Sequence, residues 1–467
     1  MRQVFRKIPV YTGDVSGVCS ALYELGGMVV MHDPSGCNST YNTHDEIRWY
    51  DHDSLIFLSG LDEMDAIMGS DDRLIHDIAE AARIYAPAFI AVANSPIPYI
   101  TGMDFDAICR TVEQETGIPS FYISTNGMHD YVHGAGLALL RVAERFTQRN
   151  GIGEESARTE ISRMESRRES VPQAESAGTG ISRTESRQES VPQAESAGTA
   201  VVRSESAGTA SGDSDRTRNS GKSRAITCNL LGVTPLDFAC GSTLESIFRK
   251  LREEDIEVIS CWAMEFPAEK TGSGKSMLGQ IAQSSRADVN LLLSSVGYPA
   301  ASFMYEKYGI PFAAGIPAEG AETLFFDAVR RAAQTGENQF PFRERPVSAG
   351  NGNGNPETVF CFIGEPVIME SLAAGTAART GAVTHVFGAT EGADLFLGTE
   401  DAALRGEEEL QEALRREMAK GVSLKVVADP CYLDIIPEGA ELVRLPHLAF
   451  SGRIFRREIP DLLCVTP

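Results

Sequence analysis

The sequence predicts an α/β protein with three Rossmann-like domains, built on parallel sheets and interrupted by a disordered repeat insertion. Three observations lead there. Short apolar runs alternate with helix-period patterns along most of the chain. The stretch 151–225 contains no Phe, Tyr or Trp. A Gly/Asn linker, GNGNGNP, occupies 350–356. These observations divide the chain into an α/β domain over 1–150, the low-complexity insertion over 151–225, a second Rossmann-like domain over 226–349, the linker over 350–356 and a third domain over 357–467.

Each domain is justified element by element. In the first, Met28–Met31 reads as a strand. Asp71–Ala86 carries Leu74, Ile75, Ile78, Ala82 and Tyr85 on one helical face. The run Ala88–Ala93 is a strand, Asp104–Glu115 a helix with Phe105, Ile108 and Val112 inward, and Ser120–Ser124 another strand. In the second, Ala225–Val233 is a strand. A capping box, Ser242 with Glu245, then opens a helix whose stripe is Leu244, Ile247, Phe248 and Leu251. The strand Ile256–Trp262 follows. In the third, strands at Val359–Ile363, Val383–Phe387 and Leu424–Ala428 alternate with helices near Val367–Arg379 and Glu407–Lys420. Strands alternating with helices give parallel sheets covered on both faces. Ligands in such folds collect at the C-terminal ends of strands.

The insertion repeats itself. Ile161–Gly180 recurs as Ile181–Ala200, a period of 20 residues, and a shortened copy follows at Val201–Ala210. A solenoid of that period needs buried apolar ladders, and this unit lacks them. Its composition cannot offset the entropy of ordering. Disorder is expected there, or a docking and modification segment.

Composition excludes several classes of function. The chain has 467 residues, 65 acidic and 42 basic, for a net charge of −23. Nucleic-acid binding needs clustered Lys and Arg, so no nucleic-acid partner is expected. No apolar run approaches the roughly 18 residues of a membrane span, so no membrane association is expected either. No signal core follows the basic start, so the expected location is cytoplasmic. Nine scattered cysteines argue for reduced thiols rather than a disulfide framework.

The richest stretch is Val15–Tyr41. Cys19 lies near its start, and Cys37 follows the first strand in a Pro/Gly turn, His32-Asp33-Pro34-Ser35-Gly36-Cys37. Spacing alone leaves two readings open, a pair of buried structural thiols or a pair of metal ligands. His32, His44 and Arg48 flank Cys37. They either relay protons or hold the loop by hydrogen bonds. Cys240, just before a helix, is either a filler or a thiol facing a cavity. The segment GSGKS at 272–276 lacks the first P-loop glycine, because Glu269 stands there, so no ATP site is expected in this chain.

The stretch Val15–Tyr41 resembles the first domain of the nitrogenase component 1 superfamily. IMGSDDRL (67–74), NSPIPYITGMDFD (94–106), Gly117-Ile118-Pro119 and TNGMHDYVHG (125–134) resemble further family segments. So do YEKYGIPF (305–312) and VADPC (427–431). The resemblance implies that Cys19 and Cys37 match the first two ligands of the interface cluster. The third ligand position is Ser95, a poor oxygen ligand beside thiolates. Two thiolates from each of two chains would supply a shared [4Fe–4S] cluster, in a homodimer or with a paralogous subunit. The nitrogenase cofactor ligands are not matched. Ser294 and Ser295 stand near the cysteine position, and His447 is the nearest candidate for the histidine.

The implied function is the catalytic component of a nitrogenase-like two-component reductase. An ATP-hydrolysing iron–sulfur reductase would deliver electrons through the cluster to a small-molecule substrate. A non-catalytic scaffold for metallocluster assembly is the alternative, and a cluster-free binding module a third reading.

Overall fold

The computed structural model describes residues 5–34, 46–49, 52, 54–69, 71–147, 224–264, 276–343 and 358–467. The repeat insertion, the GNGNGNP linker and the GSGK loop fall outside these residues.

The first sheet grows from the apolar run Met28–His32 (β1). It pairs on one side with Leu55–Leu58 (β2) and on the other with Ile90–Asn94 (β3), which continues to Ser120–Ile123 (β4). All pairs are parallel, with Met28 opposite Leu55 and Ile90. Alternation along β1 separates two cores. Val29 and Met31 pack with Asp14–Leu22 (α1) and Tyr131–Phe146 (α6). Met28 and Val30 pack with Asp71–Tyr85 (α3) and Phe105–Thr116 (α5). The short helices Glu63–Met68 (α2) and Pro96–Thr101 (α4) follow β2 and β3.

Two helices of this domain touch backbone to backbone. A side-chain carbon on Gly134 of α6 would lie 1.9 Å from the Asp14 carbonyl oxygen, and one on Gly17 of α1 would lie 2.3 Å from the Tyr131 carbonyl. The buried Asp14 carboxylate strengthens this join by accepting the backbone N–H groups of Asn126 and Gly127 at 2.9 and 3.0 Å.

The second sheet has Ile226–Leu231 (β5), Ile256–Cys261 (β6), Val289–Leu292 (β7) and Phe312–Ala314 (β8) in the order β6-β5-β7-β8. The third has Thr358–Gly364 (β9), Val383–Gly388 (β10), Ala402–Ala403 (β11), Ser423–Ala428 (β12) and Glu441–Arg444 (β13) in the order β11-β10-β9-β12-β13. Every pairing in both is parallel. Helices Gly241–Glu253 (α7), Met277–Ile281 (α8), Tyr298–Tyr308 (α9) and Glu322–Thr335 (α10) belong to the second sheet. Pro366–Thr380 (α11), Glu407–Met418 (α12) and Leu448–Ser451 (α13) belong to the third.

The cores run together. Ala300, Ala301 and Met304 of α9 join the α1/α6 core of the first sheet. Phe360 and Phe362 of β9, with Ile368 and Leu372 of α11, join the core of the second sheet, while Val359, Cys361 and Ile363 face α12. Such two-faced burial explains why β9 reads as a continuous apolar run. Cys109, Cys228 and Cys361 are buried within these cores.

Two expectations shift. The helix after β5 starts at Gly241 with Cys240 as its N-cap, and no side chain caps it. Ser242 therefore lies inside the first turn, its hydroxyl 3.0 Å from the Cys240 sulfur, and the capping box does not take its reading position. Tyr85 is 43 % exposed rather than part of the buried stripe. It is the last residue of α3, beside Ala86, whose φ of 45° ends the helix before Pro87. Among the described residues no helix is long and apolar enough to cross a membrane.

Candidate functional site

Cys19 sits on α1 with its side chain fully buried, in one core with Val29, Met31, Ala91 and Ala93. Burial, with Glu46 nearby, pushes its thiol pKa far up, so an unligated Cys19 stays protonated. Arg48 fastens this region. It donates to the Ser20 carbonyl at 2.9 Å, to Glu24 at 2.7 Å, to Glu46 at 2.8 Å and to the Ala263 carbonyl of the second domain at 3.3 Å. Its guanidinium lies 4.4 Å from the Tyr23 ring centre. These contacts make Arg48 a holding residue beside Cys19.

Ser95 follows β3 with extended backbone and caps α4 without a side-chain hydrogen bond. Alternation from Ala91 and Ala93 places it on the α1 face, which Cys19 shares. Its Oγ is buried and, among the described residues, has no hydrogen-bond partner. His32 goes the other way. It ends β1 on the Met28/Val30 face, edge-on to Phe105 at 5.7 Å, with Nδ1 2.8 Å from the Ser59 hydroxyl. There it lines a small open cleft with Asp65, Arg73 and Asp77. Burial lowers its pKa to about 4 against the pull of Asp33 and Asp65. So Cys19, Ser95 and Arg48 lie on the α1 side of the sheet, and His32 lies across it. Cys37 and His44 are outside the described residues. Cys240 is half-buried at the start of α7.

A second centre forms where the three sheets meet. Tyr131, the first residue of α6, donates its hydroxyl to Asp237 Oδ1 at 2.5 Å. His447 Nε2 lies 3.0 Å from the same oxygen. The His447 backbone N–H is held by Asp429 at 2.7 Å, and Tyr11 packs edge-on against the His447 ring at 5.6 Å. Glu365, the N-cap of α11, accepts from the Ser295 and Ile368 backbone N–H groups, each at 2.8 Å. Burial and then Asp237 raise the Glu365 carboxyl pKa to about 7. Among the described residues, four buried polar atoms here have no hydrogen-bond partner: Asp237 Oδ2, His447 Nδ1, Thr234 Oγ1 and Ser295 Oγ. Buried polar atoms are rarely left unmatched, so these atoms call for a partner such as an ordered water or a polar ligand.

A family model described as nitrogenase component 1 type oxidoreductase matches residues 17–345. The chain belongs to the nitrogenase component 1 type oxidoreductase family. The family match spans the first two sheets and ends before β9. The chain is 30% identical over 103 residues to the nitrogenase iron-molybdenum cofactor biosynthesis protein NifE of Klebsiella pneumoniae. That match covers 21% of this chain and 22% of the relative, so it spans less than a quarter of the relative's length. The solved structure "Nitrogenase Cp1 at pH 6.5" superposes with a TM-score of 0.55 at 14% identity, covering 99% of this chain and 94% of that one. It shows that all three parallel sheets follow the nitrogenase component 1 fold.

Sequence reasoning missed Tyr131, Asp237 and Glu365 in this nitrogenase component 1 type chain. A readable signal existed for the carboxylates. Glu365 directly follows an apolar strand and precedes Pro366, and Asp237 falls six residues past β5. Tyr131 gave none, because its role depends on a partner 106 residues away.

Proposed function

We propose that the chain is the cluster-bearing component of a nitrogenase-like two-component reductase. Cys19 and Cys37 of each of two chains would hold one shared iron–sulfur cluster, fed by an ATP-hydrolysing iron–sulfur reductase. A small-molecule substrate would occupy the centre around Asp237 and His447. The observation that carries this reading is the unmatched polar set at that centre, supplied by residues following strands of the second and third sheets. Support at the cluster end comes from the buried Cys19 and the unpartnered Ser95 hydroxyl on one face of the first sheet. Cys37 would add a second thiolate, and a second chain would complete the shell.

The bound cluster would supply single electrons. The chain's own residues would manage protons. Asp237 Oδ1 accepts from Tyr131 and faces His447 Nε2, so its carboxylate orients the imidazole and turns Nδ1 away from it. His447 Nδ1, buried and unpartnered, is then the atom placed to donate a proton to a reduced substrate.

One observation favours the second reading, a scaffold for metallocluster assembly. The relative matched over 103 residues is described as a cofactor biosynthesis protein. The two readings separate in one experiment. The anaerobically reconstituted protein is mixed with an ATP-hydrolysing iron–sulfur reductase and candidate unsaturated substrates. A reductase consumes electrons over many turnovers, and His447→Ala lowers that rate while leaving the cluster's electron paramagnetic resonance signal intact. A scaffold takes up no more electrons than its clusters hold.

A further inference from the structure

We propose a divalent-metal site built from His129, His133 and Glu391, of the nitrogen- and oxygen-ligated class that zinc, cobalt or nickel occupy. It is distinct from the cysteine ligands and from the Asp237 centre, and does not depend on the reductase reading. His129 immediately precedes the Asp130 N-cap of α6, and His133 lies in the first turn of that helix. Their rings stack at 4.0 Å between centres with 22° between planes. Glu391 comes from the third domain, in the turn after β10, at the C-terminal end of that strand. One ligand atom from each of the three residues lies within 4.8 Å of the others, and all three side chains are half-buried.

The surroundings hold this set in place. The Glu391 backbone N–H donates to Asp130 Oδ2 at 2.7 Å. Asp130 also caps α6 through the Val132 N–H at 3.0 Å, so one carboxylate fixes both halves of the cluster. Arg405 binds Glu391 Oε1 at 3.0 Å. That leaves Oε2 directed at His129 Nδ1, 3.0 Å away. A metal ion would take the place of the direct contact between these two atoms. Arg405 and Asp130 then serve as the outer supports that orient metal ligands. Closing three ligands to the roughly 2.0–2.2 Å bonds of zinc needs side-chain shifts of about 1 Å. Two imidazoles and one carboxylate leave a fourth position open to water or a ligand, the pattern of an accessible site rather than a closed structural one. The ion would clamp the first domain to the third, because His129 and Glu391 are 262 positions apart.

The test uses the full-length protein and Co(II), whose visible spectrum reports its ligands. Expected is one Co(II) per chain with d–d bands and no thiolate-to-cobalt charge transfer, displaced by Zn(II). Zn(II) should also raise the melting temperature. His129→Gln and Glu391→Gln should each weaken binding by at least about tenfold, the scale seen when even an outer support is removed. Both variants should keep the metal-free melting temperature, since both side chains are partly exposed. Cys19→Ala should leave this cobalt signal unchanged. Binding of equal strength in the wild type and both variants, cobalt ligated only by thiolate, or no cobalt uptake would overturn the proposal.

Discussion

The Tyr131 hydroxyl reaches Asp237 Oδ1 at 2.5 Å, so the first helical residue of α6 is tied to the loop leaving β5 of the second sheet. Both groups are buried, and His447 of the third domain shares the same oxygen. A charged acceptor in such a site makes a strong bond. Tyr131→Phe is expected to cost about 1.5–3 kcal/mol. Asp237→Asn should cost a comparable amount. The double variant should cost less than the sum, which chemical denaturation of all four proteins would measure.

Close approach of α1 and α6 makes a second test. Gly134→Ala would drive a methyl into the Asp14 carbonyl, where 1.9 Å is available. Backbone atoms cannot yield as a flexible side chain can. A loss of about 1–3 kcal/mol or more is expected from this overpacking. Because α1 carries Cys19, the same substitution should also lower the iron retained after anaerobic reconstitution. Gly421→Ala, at a φ of 76° with open space around it, is the control, expected to lose stability from backbone strain while keeping its iron.

Two buried groups titrate with opposite signs. Burial and Asp237 raise the Glu365 carboxyl pKa from 4.5 to about 7. The folded chain then holds this proton more tightly than the unfolded chain. Its contribution to stability falls as pH rises between those values, by at most about 1.4 kcal/mol per pH unit. His32 is lowered from 6.5 to about 4, chiefly by burial. The folded chain binds that proton less tightly, so stability is lost as pH falls through this window. Glu365→Gln should remove the first slope and His32→Asn the second. Melting temperatures from pH 4.5 to 7 would show the two slopes moving apart.

Ligand assignment can be read from four substitutions at three positions. Cys19→Ala and Cys37→Ala should each abolish the cluster signal, since each removes two of four thiolates from a two-chain site. Ser95→Ala should keep it. Ser95→Cys is expected to raise iron retention, because a third thiolate would enter the face that Cys19 already occupies. Iron analysis and electron paramagnetic resonance of the reduced proteins would check all four.

Much of this fold was legible because period decides element type. The short, mostly apolar runs of Ile226–Leu231 and Thr358–Gly364, with the Leu244/Ile247/Phe248/Leu251 stripe, place strands and helices close to where they lie. Short or atypical elements were harder. Helices α2 and α4 have six residues each and bury little, and Leu55–Leu58 is an edge strand with one buried residue. The site divides the same way. Cys19 and Ser95 were visible as residue types at motif positions. The separation of His32 onto the opposite face needed the phase of β1 relative to α1, which residue identity alone does not give. The meeting of His129 with Glu391, and of Tyr131 with Asp237, depends on how distant domains pack, and no local pattern encodes it.

The decisive measurement is iron and acid-labile sulfide per chain in anaerobically purified protein, taken with the oligomer mass. About two iron atoms and two sulfides per chain in a two-chain particle are expected, as for one shared [4Fe–4S] cluster. Iron-free protein after anaerobic reconstitution with iron and sulfide, at any oligomeric state, would contradict the shared-cluster reading.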